Sequence, residues 1–123
     1  MNWLLVALGG ALGSMVRYGV GLAFPLEPGR WPWATFTVNL VGCLLIGGLW
    51  ALNERFSVLT PAMRQLLMIG FLGGFTTFSA FGLEALTMWR NGQTGMMLVY
   101  LFTSSSLGIV SALLGYKCVG WFA

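Results

Sequence analysis

The chain has 123 residues, of which 58% are hydrophobic, 7% charged and none histidine, whereas ordinary soluble domains are about 25% charged. Six basic side chains (Arg17, Arg30, Arg55, Arg64, Arg90, Lys117) and three acidic ones (Glu27, Glu54, Glu84) cannot clothe a water-soluble surface. Their balance of +3 is too scattered to make a nucleic-acid footprint. Lipid is the solvent this composition requires.

A helix needs about 20 mostly apolar residues to cross the hydrocarbon core, and the chain offers four such runs, at about 3–24, 33–52, 62–88 and 95–121. The opening MNWLLVALGG has no basic leader and no small-residue cleavage pattern, so it is expected to be a retained first span. Pro25, Pro28 and Pro32 break the chain after it, Arg55 and Pro61 bracket the second break, and Arg90 and Gly92 mark the third. Nothing is left over for a soluble domain, so the expectation is a single all-α membrane domain over 1–123. Trp3, Trp31, Trp33, Trp50, Trp89 and Trp121 fall near the predicted span ends. An amphipathic ring sits well at headgroup level, and this position by itself implies no binding site.

Four spans put both termini on the side of the second loop, which then carries Arg55, Arg64 and Lys117. The other side has Arg30 and Arg90, with Arg17 leaning toward it. Orientation normally follows an excess of Lys and Arg in cytoplasmic loops, and this balance chooses none. The two readings are antiparallel pairing of copies inserted both ways, or span boundaries displaced by a few residues. Eighteen glycines, with Gly9 and Gly13 as a small-xxx-small pair and Gly42, Gly47 and Gly48 continuing the theme, suit close helix packing and oligomers. Cys43 and Cys118 lie in apolar runs and read as packed free thiols.

Because lipid satisfies no polar group, the informative residues are the polar ones inside the spans. Arg17 lies about a third of a span from the interface, so it either snorkels or holds a fixed structural or vestibule position. Asn39, one turn after Thr35, is either interhelical glue or a donor to a passing anion. Glu84 is an intramembrane acid whose role the sequence leaves open. In the fourth span Tyr100, Ser104 and Ser111 share one face, either as pore lining or with hydroxyls bonded back to their own helix.

The third run contains Gly70-Phe-Leu-Gly-Gly-Phe-Thr-Thr-Phe-Ser-Ala-Phe-Gly82 near its middle. Gly73 and Gly74 permit backbone angles closed to other residues, so the helix is predicted to break there and expose backbone groups to a cavity. Phe75, Phe78 and Phe81 recur every three residues. They form either a packing stripe or a set of ring edges whose partial positive charge can meet an anion without trapping it.

Taken together, Gly9-Gly10-Ala-Leu-Gly13 with Arg17-Tyr18, Thr37-Val-Asn39 with Gly42, and Gly73-Gly74-Phe-Thr-Thr-Phe-Ser-Ala-Phe81 resemble the Fluc or CrcB fluoride channels. The match runs the whole chain, and its third-span motif is the specific part. The resemblance implies an antiparallel, dual-topology homodimer in a bacterial inner membrane, with passive electrodiffusive fluoride export through two anion pathways. It also implies one structural sodium ion at the dimer centre that is not transported. Residue by residue, it implies that Phe78 and Phe81 are pore aromatics, Asn39 the pore asparagine, Ser79 and Ser104 members of a polar track, and the backbone carbonyls of Gly73 and Thr76 the sodium ligands. Arg17 and Glu84 are then structural or vestibule residues. Family members often continue the motif Ser-Thr-Phe, whereas Ala80 stands here, so one hydroxyl of the track is missing and conduction is expected to survive.

No constellation for catalysis competes with this reading: the chain has no histidine, no phosphate-binding glycine loop and no acid pair, so no enzyme is expected. The alternative is a small dual-topology, proton-coupled multidrug exporter, which needs an acid in the first span. The first span here has none.

Overall fold

The computed structural model describes residues 2–122. It is all-helical, and four of its helical segments are long and apolar enough to cross a membrane: Asn2–Ala23, Trp33–Phe56, Pro61–Arg90 and Thr94–Phe122. The shortest, at 22 residues, spans roughly 33 Å at about 1.5 Å per residue, enough for a hydrocarbon core of about 30 Å. α1 is Asn2–Ala23 and α2 is Trp33–Phe56. The third span divides into α3, over residues 61–75, and α4, Ser79–Arg90, and α5 is Thr94–Phe122. The second span runs one turn past the sequence-based boundary, carrying Glu54 and Arg55 into α2, where the Tyr116 hydroxyl donates to Glu54 at 2.8 Å.

The ends follow local chemistry. Pro32 precedes α2, and Ser57, in the left-handed region at φ 52°, ends it by donating its N–H to the Asn53 carbonyl. Thr60 caps α3, its hydroxyl accepting from Met63 N–H at 3.2 Å, with Pro61 in the first turn where a missing N–H costs nothing. Gly92, at φ 76°, turns the chain from α4 to α5.

α1 lies along α3, and α2 along α5. Both seams are built on glycine. A side chain at Gly9 or Gly13 would strike the backbone of Leu66 and Phe71, and one at Gly47 or Gly115 that of Ala112 and Leu44. The α3 part is itself unusual. After Pro61–Arg64 it widens into a π-helix over Gln65–Leu72, then tightens for a last turn at Gly73–Phe75, and such widened stretches occur often at functional sites. Val38, Leu72 and Phe75 form the small buried core, flanked by Val20, Leu49 and Phe71. Large apolar side chains such as Leu12, Phe102 and Ile109 point outward, as a lipid-facing surface requires.

Candidate functional site

The third span breaks at its middle, one turn after the double glycine. Gly73 is ordinary right-handed helix (φ −61°, ψ −38°), whereas Thr76 is extended (φ −83°, ψ 160°) and helix resumes at Ser79. The expectation that Gly73 and Gly74 break the helix through unusual angles is therefore corrected. Gly74 serves close packing instead: a Cβ there would lie 2.5 Å from the Gly10 carbonyl oxygen and 3.1 Å from the Ser14 hydroxyl. A Cβ on Gly73 would meet nothing within 4 Å.

The break is held open by side chains that take over backbone groups of the interrupted turn. In an unbroken helix Thr77 N–H would bond the Gly73 carbonyl four residues back; here it donates to Asn39 Oδ1 at 2.8 Å. Asn39 Nδ2 in turn donates to the Thr77 carbonyl at 3.0 Å, so one side-chain amide clamps one peptide from both ends. Ala80 N–H would bond the Thr76 carbonyl, but it donates to the Thr77 hydroxyl at 3.2 Å, so a side chain just before α4 satisfies an N–H of its first turn. The Gly74 carbonyl, another orphan of the α3 terminus, accepts from Arg17 Nε at 3.0 Å. Thr76 N–H and its hydroxyl both return to the Leu72 carbonyl, at 3.0 and 2.9 Å. The carbonyls of Gly73, Phe75 and Thr76 accept no hydrogen bond among the described residues.

Beside the break lies a cavity of about 390 Å³, open on one side, walled by Asn39, Gly73, Thr76, Phe78, Phe81 and Ser104 among others. Phe78 is 83% exposed. Its ring lies 5.8 Å from that of Phe81, which lies 4.9 Å from the ring of Tyr100. The Ser104 hydroxyl is buried and has no hydrogen-bond partner among the described residues, whereas Ser105 bonds back to the Leu101 carbonyl of its own helix. Cys43 also lines this wall as a free thiol.

Glu84 sits one step further along. Its carboxylate accepts from the Thr35 hydroxyl at 2.5 Å and from the Tyr100 hydroxyl at 2.8 Å, so both oxygens are occupied. Tyr100 is fully buried and Thr35 is 8% exposed. Trp31 packs edgewise on Tyr100, with ring centroids 5.1 Å apart at 81°. Its indole N–H is buried without a hydrogen-bond partner among the described residues, and the Trp31 ring makes a second perpendicular contact with Phe36 at 5.5 Å. Glu84 also borders a second cavity of about 240 Å³ beneath the α1–α2 loop, lined by Glu27, Arg30, Asn91 and Gln93.

The structure thus brings Asn39, Gly73, Thr76, Phe78, Phe81 and Ser104 around one cavity. Ser79 is exposed and lies outside that lining. Arg17 and Glu84 make no contact with each other: one holds the end of α3, the other a hydroxyl pair. Two roles are visible only in the fold. Thr77 stands in the sequence as a polar residue of the third span with no assigned task, and the structure gives its hydroxyl to Ala80 N–H. Trp31 was assigned to the interfacial belt, and only the fold reveals its contact with Tyr100.

Comparison with known proteins gives the lineage. The family profile described as "CrcB-like protein, Camphor Resistance (CrcB)" matches residues 4–116. A protein of Methylobacillus flagellatus named "Fluoride-specific ion channel FluC" is 47% identical over 119 residues, covering 94% of this chain and 92% of the relative. Proteins of the same name from Thermus thermophilus and Acidobacterium capsulatum are 45% and 42% identical, covering 97% and 94% of this chain. The shared stretch covers 95% and 93% of those two proteins.

Proposed function

The chain belongs to the CrcB family, and on that premise we propose that it is a fluoride-selective channel of a bacterial inner membrane. It gives passive, electrodiffusive export of fluoride and so lowers the ion's toxicity. Its named relatives are ion channels, and it is a channel rather than an enzyme. The multidrug-exporter alternative is not favoured by those relatives, nor by a first span without an acid.

The observation that carries this reading is the clamped break in mid-span, with an aromatic pair and free polar groups meeting at one cavity. A dehydrated anion needs donors and partial positive charge but no full cation to trap it. Asn39 retains one amide N–H beyond the bond to Thr77, the Ser104 hydroxyl is unpaired, and the edges of Phe78 and Phe81 carry partial positive charge. Ser79 extends the polar series along the first turn of α4. Ala80 adds no hydroxyl to it, and its backbone N–H is already engaged by Thr77.

The cavity is open and Phe78 stands exposed, which suits a second copy closing the pathway. The functional unit is an antiparallel, dual-topology homodimer. At its centre the free carbonyls of Gly73 and Thr76 would hold a structural sodium ion, since a hard monovalent cation suits uncharged oxygen ligands. Among the described residues there is no group of three acidic, histidine or cysteine side chains that could hold a metal. Bound sodium supplies a fixed positive charge that offsets part of the cost of stripping water from fluoride.

The test is fluoride efflux from liposomes, followed with a fluoride electrode beside a chloride control. Wild-type protein should release fluoride and retain chloride, and Phe81→Ile should abolish release while remaining a folded dimer in detergent. Efflux at the wild-type rate from Phe81→Ile would return both rings to a packing role. For topology, Gly29→Cys should label from both faces of the membrane in comparable amounts, and labelling from one face alone defeats the antiparallel dimer.

A further inference from the structure

We infer that Thr77 is a positioning residue that keeps the Thr76 carbonyl available to a cation, and that Asn39 does the same for Gly73. The inference rests on the sodium reading above and names the side chains that create the site rather than those that occupy it.

In a helix of 3.6 residues per turn, each carbonyl is taken by the N–H four residues ahead. The carbonyls of Gly73 and Thr76 have their natural partners in Thr77 N–H and Ala80 N–H. Both N–H groups are present, and neither is lost to proline or to distance along the chain. Each has been drawn away by a side-chain oxygen: Asn39 Oδ1 at 2.8 Å takes Thr77 N–H, and Thr77 Oγ1 at 3.2 Å takes Ala80 N–H. Of the two carbonyls between them, that of Gly74 is held by the guanidinium of Arg17, while that of Phe75 accepts no hydrogen bond among the described residues. The Arg17 pairing occupies Gly74, and Phe75 lies outside the cavity lining, so Gly73 and Thr76 are the residues of this turn that both border the cavity and keep a free carbonyl.

Geometry agrees. Gly73 and Thr76 both border the cavity, and the space beyond the Gly73 Cα is open, so a ligand can approach the freed oxygens. Thr76 is anchored by its own hydroxyl to Leu72, which fixes the extended peptide. The Thr77 hydroxyl therefore has a task separate from packing: without it, Ala80 N–H is free to return to Thr76 and the carbonyl is no longer available.

The experiment measures thermal unfolding of the purified protein in detergent while sodium chloride replaces N-methylglucamine chloride at constant ionic strength. Wild-type protein should melt higher as sodium rises. Thr77→Val, which keeps the branched shape and removes the acceptor, should raise the half-saturating sodium concentration by roughly tenfold, the scale of one net backbone hydrogen bond regained by the competing state. Thr77→Ser, which keeps the oxygen, should stay within roughly threefold of wild type. Should the valine variant not fold, Thr77→Cys offers a weak acceptor at similar size and carries the same expectation. A purely structural hydroxyl would instead lower the melting temperature equally with and without sodium. An unchanged half-saturation in Thr77→Val, beside a sodium-protected wild type, overturns this inference and leaves the sodium reading standing. A wild type indifferent to sodium overturns both.

Discussion

Asn39 is asked to do two things, and substitution can separate them. Asn39→Ala removes both bonds to the Thr77 peptide, at 2.8 and 3.0 Å. At a net value of about 0.5–1.5 kcal/mol each, their loss would cost about 1–3 kcal/mol if nothing replaced them. Replacement is at hand, because Thr77 N–H has the Gly73 carbonyl four residues behind it and the Thr77 carbonyl has Phe81 N–H four residues ahead. The helix therefore heals, and the loss of stability should fall near the lower end, about 1 kcal/mol. Fluoride efflux should fall much further, by roughly a hundredfold, because the healed helix withdraws polar groups from the cavity and the anion loses a donor. Asn39→Asp makes the complementary change. It loses the donor to the Thr77 carbonyl but still accepts from Thr77 N–H, so Gly73 should stay free and the sodium response be retained, while its charge repels an anion and should silence efflux. The assays are melting in detergent and electrode-detected efflux from liposomes. Wild-type efflux from Asn39→Ala would refute the reasoning, since neither the clamp nor the donor would then matter.

Two further outcomes follow from neighbouring contacts. Gly74→Ala should destabilise the fold by about 1–3 kcal/mol, as overpacking does, because its Cβ would lie 2.5 Å from the Gly10 carbonyl oxygen. Gly73→Ala has open space and an ordinary φ of −61° and should leave subunit stability within about 0.5 kcal/mol; reversal of that order in thermal melts would contradict the α1–α3 packing. Trp31→Ala should lower efflux by roughly tenfold by loosening Tyr100 and its bond to Glu84, while Trp31→Phe keeps an edgewise ring and most of the flux. In a Tyr100→Phe background the Trp31→Ala effect should largely vanish, as expected for contacting residues that act through one another.

How far these features could be foreseen depends on which physical signal each one leaves in the sequence. The four spans were legible because hydrophobic length is additive and local, and proline and glycine punctuate it. The π-helical stretch over Gln65–Leu72 left no such mark, since one extra residue per turn demands no special side chain. The helix break was foreseen in the correct segment but attached to the wrong residues. Glycine signals conformational freedom and close approach alike, and at Gly74 the neighbour that decides between them, Gly10, is about sixty residues away in the chain. Asn39 could be singled out as a costly polar group in lipid, yet its partner is a backbone peptide, which no side-chain pattern announces. Arg17 and Glu84 illustrate the same limit: each was visible as a misfit, and only the fold distinguishes a carbonyl cap from a carboxylate held by two hydroxyls.

The break itself has a cause that reaches beyond its local sequence. Thr76, Thr77 and Phe78 contain no proline, and their backbone could continue a helix at modest cost. The non-helical conformation persists because three outside bonds replace those that helix would supply: two from Asn39 of α2 and one from Arg17 of α1, with the Thr77 hydroxyl completing the set. A mid-membrane break is tolerated only where its polar groups find partners or line a cavity, and here the two conditions are met by different atoms of one turn. Thr77 N–H, the Thr77 carbonyl and the Gly74 carbonyl have partners within the chain; Gly73 and Thr76, whose carbonyls have none among the described residues, border the cavity. This division predicts that the outside bonds act together. Removing Arg17 as Arg17→Gln, which can still donate to Gly74, should be milder than Arg17→Leu. The leucine variant should combine with Asn39→Ala less than additively in melting temperature, because once the helix has healed at Thr77 there is less broken turn left for Arg17 to hold. Strict additivity of the two would mean that the clamp and the cap stabilise separate structures, and that the break is not one cooperative unit.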